Sequence, residues 1–151
     1  MDKDKLIKFL KLATYMADLF SKDPSTKVGA ITVEPNTLQI KSIGYNGLPR
    51  KIKDTPERWT KPLKYNYVVH AEANMICNAS LNSISLSDSI LFVTMFPCNE
   101  CAKLIIQSGI KTIVTKPPNL LHEKWGNSFK ISIEMFKELG IEVIIIYDND
   151  V

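Results

Sequence analysis

Residues 89–116 read SILFVTMFPCNECAKLIIQSGIKTIVTK, and their order decides the architecture. An apolar run, SILFVTMF, is followed at residues 98–108 by a helical pattern that stops at Gly109, and then by a second apolar run, IKTIVTK. Strand, helix and strand in that order imply two parallel strands with the helix crossing one face of their sheet. Toward the C-terminus the alternation continues. Pro117 and Pro118 mark a loop, residues 127–139 carry a helical pattern closed at Gly140, and IEVIIIYD reads as a last strand.

Toward the N-terminus the pattern changes. His70 to about Leu81 is helical, and before it residues 45–66 form a polar stretch with Pro49, Pro56 and Pro62. A loop of that length inside a folded domain is usually functional. VGAITVEP and LQIKSIGYNG flank the turn signal Pro35-Asn36-Thr37 and predict an antiparallel hairpin. Leu6, Leu10, Ala13, Ala17 and Phe20 recur at helical spacing, so residues 3–20 predict an amphipathic helix ending near SKDPST. The whole is an α/β chain of order α-β-β-α-β-α-β-α-β, with a hairpin feeding a largely parallel sheet.

The chain has 151 residues, enough for one domain with a substantial core, and 45% hydrophobic with 23% charged residues is the composition of an ordinary globular protein. The first twenty residues interleave charges with apolar positions and lack the uninterrupted apolar run of a signal peptide or membrane span, so a soluble, cytoplasmic protein is expected. Net charge is +3, unevenly spread. Lys41, Arg50, Lys51, Lys53, Arg58, Lys61 and Lys64 face only Asp54 and Glu57, whereas residues 65–102 contain no Lys or Arg. Such a basic loop suits small phosphates, nucleic acid or plain solvation; the modest total argues against an extended DNA-binding face.

Three cysteines, Cys77, Cys98 and Cys101, are too few and odd in number for a disulfide scaffold, which favours metal or redox chemistry. Cys98 and Cys101 stand at i and i+3, where two sulfurs on one helical face can converge on an ion. Pro97 fits a position at or just before the first turn. His70 opens its own helix, so an imidazole and two thiolates would leave one position of a tetrahedral zinc for water. Glu72, two residues on, does not share His70's face and is better placed to move protons than to bind the ion. The pattern His70-Ala71-Glu72 followed by Pro97-Cys98-Asn99-Glu100-Cys101 matches the H-x-E…P-C-x-x-C signature of zinc nucleobase deaminases.

On those residues, together with SKDPSTKVGA (21–30), IGYNGLPR (43–50), HAEANMICN (70–78) and LFVTMFPCNECAKLIIQSGIK (91–111), the chain resembles the deoxycytidylate (dCMP) deaminase branch of the cytidine deaminase superfamily. The resemblance implies a three-layer α/β/α fold with a five-stranded mixed sheet, formed by residues 1–151 as a single zinc-dependent deaminase domain. It implies one Zn2+ per chain on His70, Cys98 and Cys101. Cys77, in an apolar helix segment, reads as a buried small side chain, and His122, in NLLHEKWGN, as a loop residue. Glu72 would be the proton shuttle while water activated on zinc attacks C4 of the base, expelling ammonia and converting dCMP to dUMP for thymidylate synthesis.

The resemblance also assigns Asn46, Ala71 and Pro97 to the substrate cleft, with Asn74 and Asn78 on the cleft or its wall. For the substrate phosphate, charge placement points first to Lys22, then to Arg50 or Lys124. Relatives are typically hexamers activated by dCTP and inhibited by dTTP, which would put Tyr45, Gly47, Arg50, Lys51 and Lys53 at a regulatory triphosphate site, with Mg2+ accompanying that ligand. Neither a membrane nor a nucleic acid is expected as partner. Competing readings are a thioredoxin-like oxidoreductase, since strand, PCxxC and helix also describe a redox site, a zinc-stabilised nucleic-acid-binding module, and a zinc-dependent deaminase of RNA or DNA cytosine.

Overall fold

Helix α1, Lys3–Phe20, starts on Asp2, whose side chain accepts a hydrogen bond from the Lys5 N–H at 2.9 Å, and it buries Leu6, Leu10, Ala13, Met16 and Ala17. This computed structural model describes residues 1–150. The buried stripe of α1 lies on one face of a five-stranded sheet, against Ile31, Val33, Ile90, Phe92 and Val114. Each large aliphatic side chain so buried contributes roughly 1.5–3 kcal/mol.

The strands are β1 (Gly29–Val33), β2 (Ile40–Tyr45), β3 (Ile90–Val93), β4 (Thr112–Thr115) and β5 (Glu142–Ile145), in the order β2-β1-β3-β4-β5. β1 pairs antiparallel with both β2 and β3, whereas β3, β4 and β5 are parallel. The sheet is therefore mixed, as expected, with the hairpin on one side and the alternating strands on the other. Alternation along each strand feeds two cores. Ile90 and Phe92 point to α1, while Leu91 and Val93 point to a second helical layer.

That second layer holds α3 (Ala71–Leu81), α4 (Asn99–Gln107) and α5 (Gly126–Glu138), so the architecture is the three-layer α/β/α form. Gly109, with φ +79°, ends α4 in a left-handed turn that favours glycine. The long polar stretch is less bare than its sequence suggests. It contains a 3-10 turn at Pro56–Trp59 and a single helical turn, α2 (Lys64–Tyr67), just before His70. Cys77 is exposed, a correction to the buried position expected, because α3 turns that side away from the sheet.

Gly44 sets the depth of α3. A Cβ there would stand 2.3 Å from the Ala71 carbonyl oxygen and 2.4 Å from the Met75 nitrogen, so β2 and α3 touch backbone to backbone. The contact is fastened by Ser42 Oγ donating to the Met75 carbonyl at 2.7 Å, and by the Asn74 and Asn78 amides donating to the Tyr45 and Ile43 carbonyls at 2.8 and 2.6 Å.

Candidate active site

Two helices end in the same place. His70 is the N-cap of α3 and Cys98 the N-cap of α4, and neither side chain caps its own helix, in contrast to Asp2 on α1. The imidazole and the thiol are thus free to turn to each other. Cys98 Sγ lies 3.5 Å and Cys101 Sγ 3.4 Å from His70 Nδ1, and the three donor atoms all fall within 4.8 Å of one another. Tetrahedral bonds of 2.3 Å to sulfur and about 2.05 Å to nitrogen would hold an S and an N about 3.6 Å apart. The donor set and its spacing fit zinc, and it is the one such group among the described residues.

The protonation chemistry agrees with a cation site. The Cys98 thiol is held well below the usual thiol range, chiefly by its hydrogen bond with Cys101 against the opposing effect of burial, with His70 adding to it. Cys101 is pushed upward by that same Cys98 contact and then by burial. His70 is raised by its hydrogen bond to Cys98, and burial opposes the shift. A bound cation would take the place of the protons that these buried donors hold.

Glu72 sits in the first turn of α3, 4% exposed, outside the donor cluster but within reach of the Cys101 thiol. Burial pushes its carboxyl up to about 7, against the pull of its own N–H and the His70 charge. A carboxyl with that value can both take and return a proton at neutral pH. Trp125 meets the His70 ring edge-on with centroids 5.9 Å apart, and Ser128 accepts from the Asn99 N–H at 2.8 Å while donating to Asn99 Oδ1 at 2.7 Å. These contacts fix the start of α4 against α5.

The cluster floors a cleft that opens to solvent. His70, Ala71, Glu72, Cys98 and Asn46 line it; Cys101 lies behind. Gly47 and Val69 exchange hydrogen bonds of 3.1 and 2.8 Å, which brings Asn46 beside His70. The Asn46 amide is fully engaged. Its Oδ1 accepts from Ser21 Oγ and the Val28 N–H, both at 2.8 Å, and its Nδ2 donates to the Thr26 carbonyl at 2.8 Å and to Asp23 at 3.2 Å.

Other residues singled out from the sequence lie elsewhere. Asn74 and Asn78 are turned to β2 as described, because positions 70, 74 and 78 share a helical stripe and only the first turn of that stripe reaches the cleft. Pro97 is buried between Phe96 and Cys98 without lining the cleft. Lys22 is outside it, exposed and paired with Asp54 at 2.7 Å. Of the residues expected at a regulatory site, Tyr45 stacks on Phe20, Arg50 donates to Asn78 Oδ1, Lys51 has φ +66°, and the Lys53 carbonyl accepts from Arg58. None of these lines the cleft.

The sequence reading named Lys124 as a phosphate candidate but missed the rest of the wall on which it stands. Lys64, 5% exposed, donates to both oxygens of Asp23, 3% exposed, at 2.9 Å, and to Ser25 Oγ at 2.7 Å. Burial raises the Asp23 carboxyl, but the hydrogen bonds from Lys64, Ser25 and Thr26 outweigh it and leave the group lowered. Lys61, Tyr65, His122 and Lys124 complete that side. A lysine set among aromatic and aliphatic neighbours in LKYNYVV was the available signal for a buried ion pair.

A sheet of this order with imidazole and thiolate donors on two helix N-termini defines the zinc-dependent deaminase architecture. The match of residues 3–116 to the model "Cytidine and deoxycytidylate deaminase zinc-binding region" places the chain in that family. A Drosophila melanogaster protein named "Probable deoxycytidylate deaminase" is 44% identical over 135 residues, 81% of this chain and 63% of its own length. A deaminase from the luxG 3' region of Aliivibrio fischeri is 37% identical over 140 residues, covering 90% of this chain and 92% of that one. The dCMP deaminase of cyanophage S-TIM5, solved in complex with dCMP and dUMP, superposes with a TM-score of 0.76 at 27% identity, covering 97% of this chain and 99% of the other. The chain thus spans under two thirds of the Drosophila relative. Family membership overturns the thioredoxin-like alternative, and the two cysteines converge on an imidazole, unlike a free redox pair.

Proposed function

We propose that this chain, acting as one deaminase domain over residues 1–151, converts dCMP and water into dUMP and ammonia. The observation that carries the reading is the convergence of His70 Nδ1, Cys98 Sγ and Cys101 Sγ on the floor of a cleft, with the buried acid Glu72 beside them and outside the donor set. Those three donors would hold the zinc, which when bound supplies a water of pKa near 7. Glu72 takes one proton of the attacking water and gives it to N3 of the cytosine ring, then takes the remaining proton from the new C4 hydroxyl and delivers it to the amino group as the C4–N bond breaks and the C4 carbonyl forms. Ala71 and Asn46 line the cleft next to Glu72, where the ring and the sugar would lie. The choice of dCMP is supported by the ligands in the cyanophage neighbour and by the name of the Drosophila relative.

The finer parts of this reading rest on family resemblance. They are supply of dUMP for thymidylate synthesis, activation by dCTP and inhibition by dTTP with Mg2+ at the loop after β2, a hexameric assembly, and a cytoplasmic setting. The decisive experiment assays ammonia release by zinc-loaded protein from dCMP, CMP, deoxycytidine, dCTP and a cytosine-containing single-stranded oligonucleotide, each with and without dCTP or dTTP. dCMP should be the best substrate. No ammonia from any of the mononucleotides at full zinc content overturns the reading, and turnover of the oligonucleotide alone transfers the site to nucleic-acid cytosine.

A further inference from the structure

We infer that the 5'-phosphate of the nucleotide is held by a clamp at the mouth of the cleft built from two chain segments, Lys61 and Tyr65 from one and His122 and Lys124 from the other. The inference rests on the reading of the cleft as a nucleotide deaminase site. Its first ground is the gradient of burial along the cleft. The floor, Ala71, Glu72 and Cys98, is 0–6% exposed, whereas Lys61, Tyr65, His122 and Lys124 are exposed at the rim. A nucleotide enters such a cleft base first, which leaves its charged end among these four residues.

The second ground is charge. Three ammonium groups surround one phenol: the Lys124 ammonium lies over the Tyr65 ring at 2.6 Å from its centroid and Lys64 at 5.7 Å, while Lys61 adds its charge nearby. Burial raises the Tyr65 hydroxyl, but the Lys124 hydrogen bond and the charges of Lys124, Lys61 and Lys64 outweigh it and leave the group lowered. Lys64 is neutralised by Asp23. Among the described residues neither Lys61 nor Lys124 has a carboxylate partner within 4.0 Å, so two unbalanced positive charges stand together where a phosphate dianion would balance them. His122 adds a donor. Its Nδ1 accepts from the Lys124 and Trp125 N–H groups at 3.1 and 3.2 Å, which in the neutral ring leaves the proton on Nε2.

The contrast with Lys22 is direct, since that lysine is spent on Asp54 and lies outside the cleft. The test is binding of the product, measured by titration calorimetry on zinc-loaded protein, so that it does not depend on turnover. The parent should bind dUMP about a hundredfold more tightly than deoxyuridine, on the order of tenfold from each charge-assisted contact. In Lys61→Ala/Lys124→Ala that ratio should fall to less than about tenfold, and Lys124→Arg should keep most of it. Should the pair fail to fold, Lys61→Ala and Lys124→Met are measured singly, each losing about tenfold. Inorganic phosphate should compete with dUMP and not with deoxyuridine.

A parent with no preference for dUMP, a double variant that keeps the full ratio, or a collapse of the ratio in Lys22→Ala instead each overturns the clamp. A lysine-dependent ratio in a protein that releases no ammonia from dCMP keeps the clamp and overturns the deaminase reading.

Discussion

The floor and the rim of the cleft are made of different materials. The floor is backbone-determined: two helix N-caps, a glycine contact between β2 and α3, and short side chains that reach only one place. The rim is carried by two irregular segments, residues 46–66 and 116–125, and by long lysine side chains whose position depends on partners far away in sequence.

The largest effect expected from the floor is chemical. Glu72→Gln should lower kcat by roughly a hundredfold to ten-thousandfold, the usual worth of a positioned acid–base group, while zinc measured by atomic absorption stays at the parent's level. Near-parent turnover would put the proton shuttle elsewhere. The next effect belongs to the wall between floor and rim. Lys64→Met leaves the Asp23 carboxylate buried without its ion partner and should cost about 3–5 kcal/mol in urea unfolding, most of it recovered in Asp23→Asn/Lys64→Met. A loss no larger than that of an exposed pair would show that water relaxes this wall.

A smaller loss is expected from Gly44→Ala, where the new methyl collides with Ala71 and Met75 backbone. About 1–3 kcal/mol should disappear in the same unfolding measurement, together with activity, since the first turn of α3 must shift. If stability falls and kcat does not, the floor is less tightly referenced to the sheet than described. The gentlest test is acid. The folded-state pKa of Asp23 is lowered below its ordinary 3.8, so its contribution is present above that value and is lost as the pH falls through the folded value. Unfolding free energy should therefore decline more steeply below about pH 3.8 in the parent than in Asp23→Asn.

The same division governs what could be read in advance. α1 emerges at residues 3–20 as its apolar spacing predicts, because a single stripe buried on a single sheet face leaves a clean helical period. The metal donors were legible because their spacing is local on α4 and because only two histidines compete for the remaining place. The rim was not. Lys61 and Lys64 look like any solvated lysines, and Lys124 is only one of several charged candidates, until α2 and the segment before α5 bring them together around Tyr65. Asn74 and Asn78 illustrate a subtler failure: their spacing of four and eight residues from His70 was visible, but its use, pairing with alternate carbonyls of β2, needed the sheet in place.

The contact at Gly44 has a mechanical consequence. At Gly44 no side chain separates β2 from α3, so the backbone of the first turn of α3, which carries Glu72, is referenced directly to the strand. A shift of the β2 backbone at Gly44 would therefore carry the first turn of α3, and Glu72 with it.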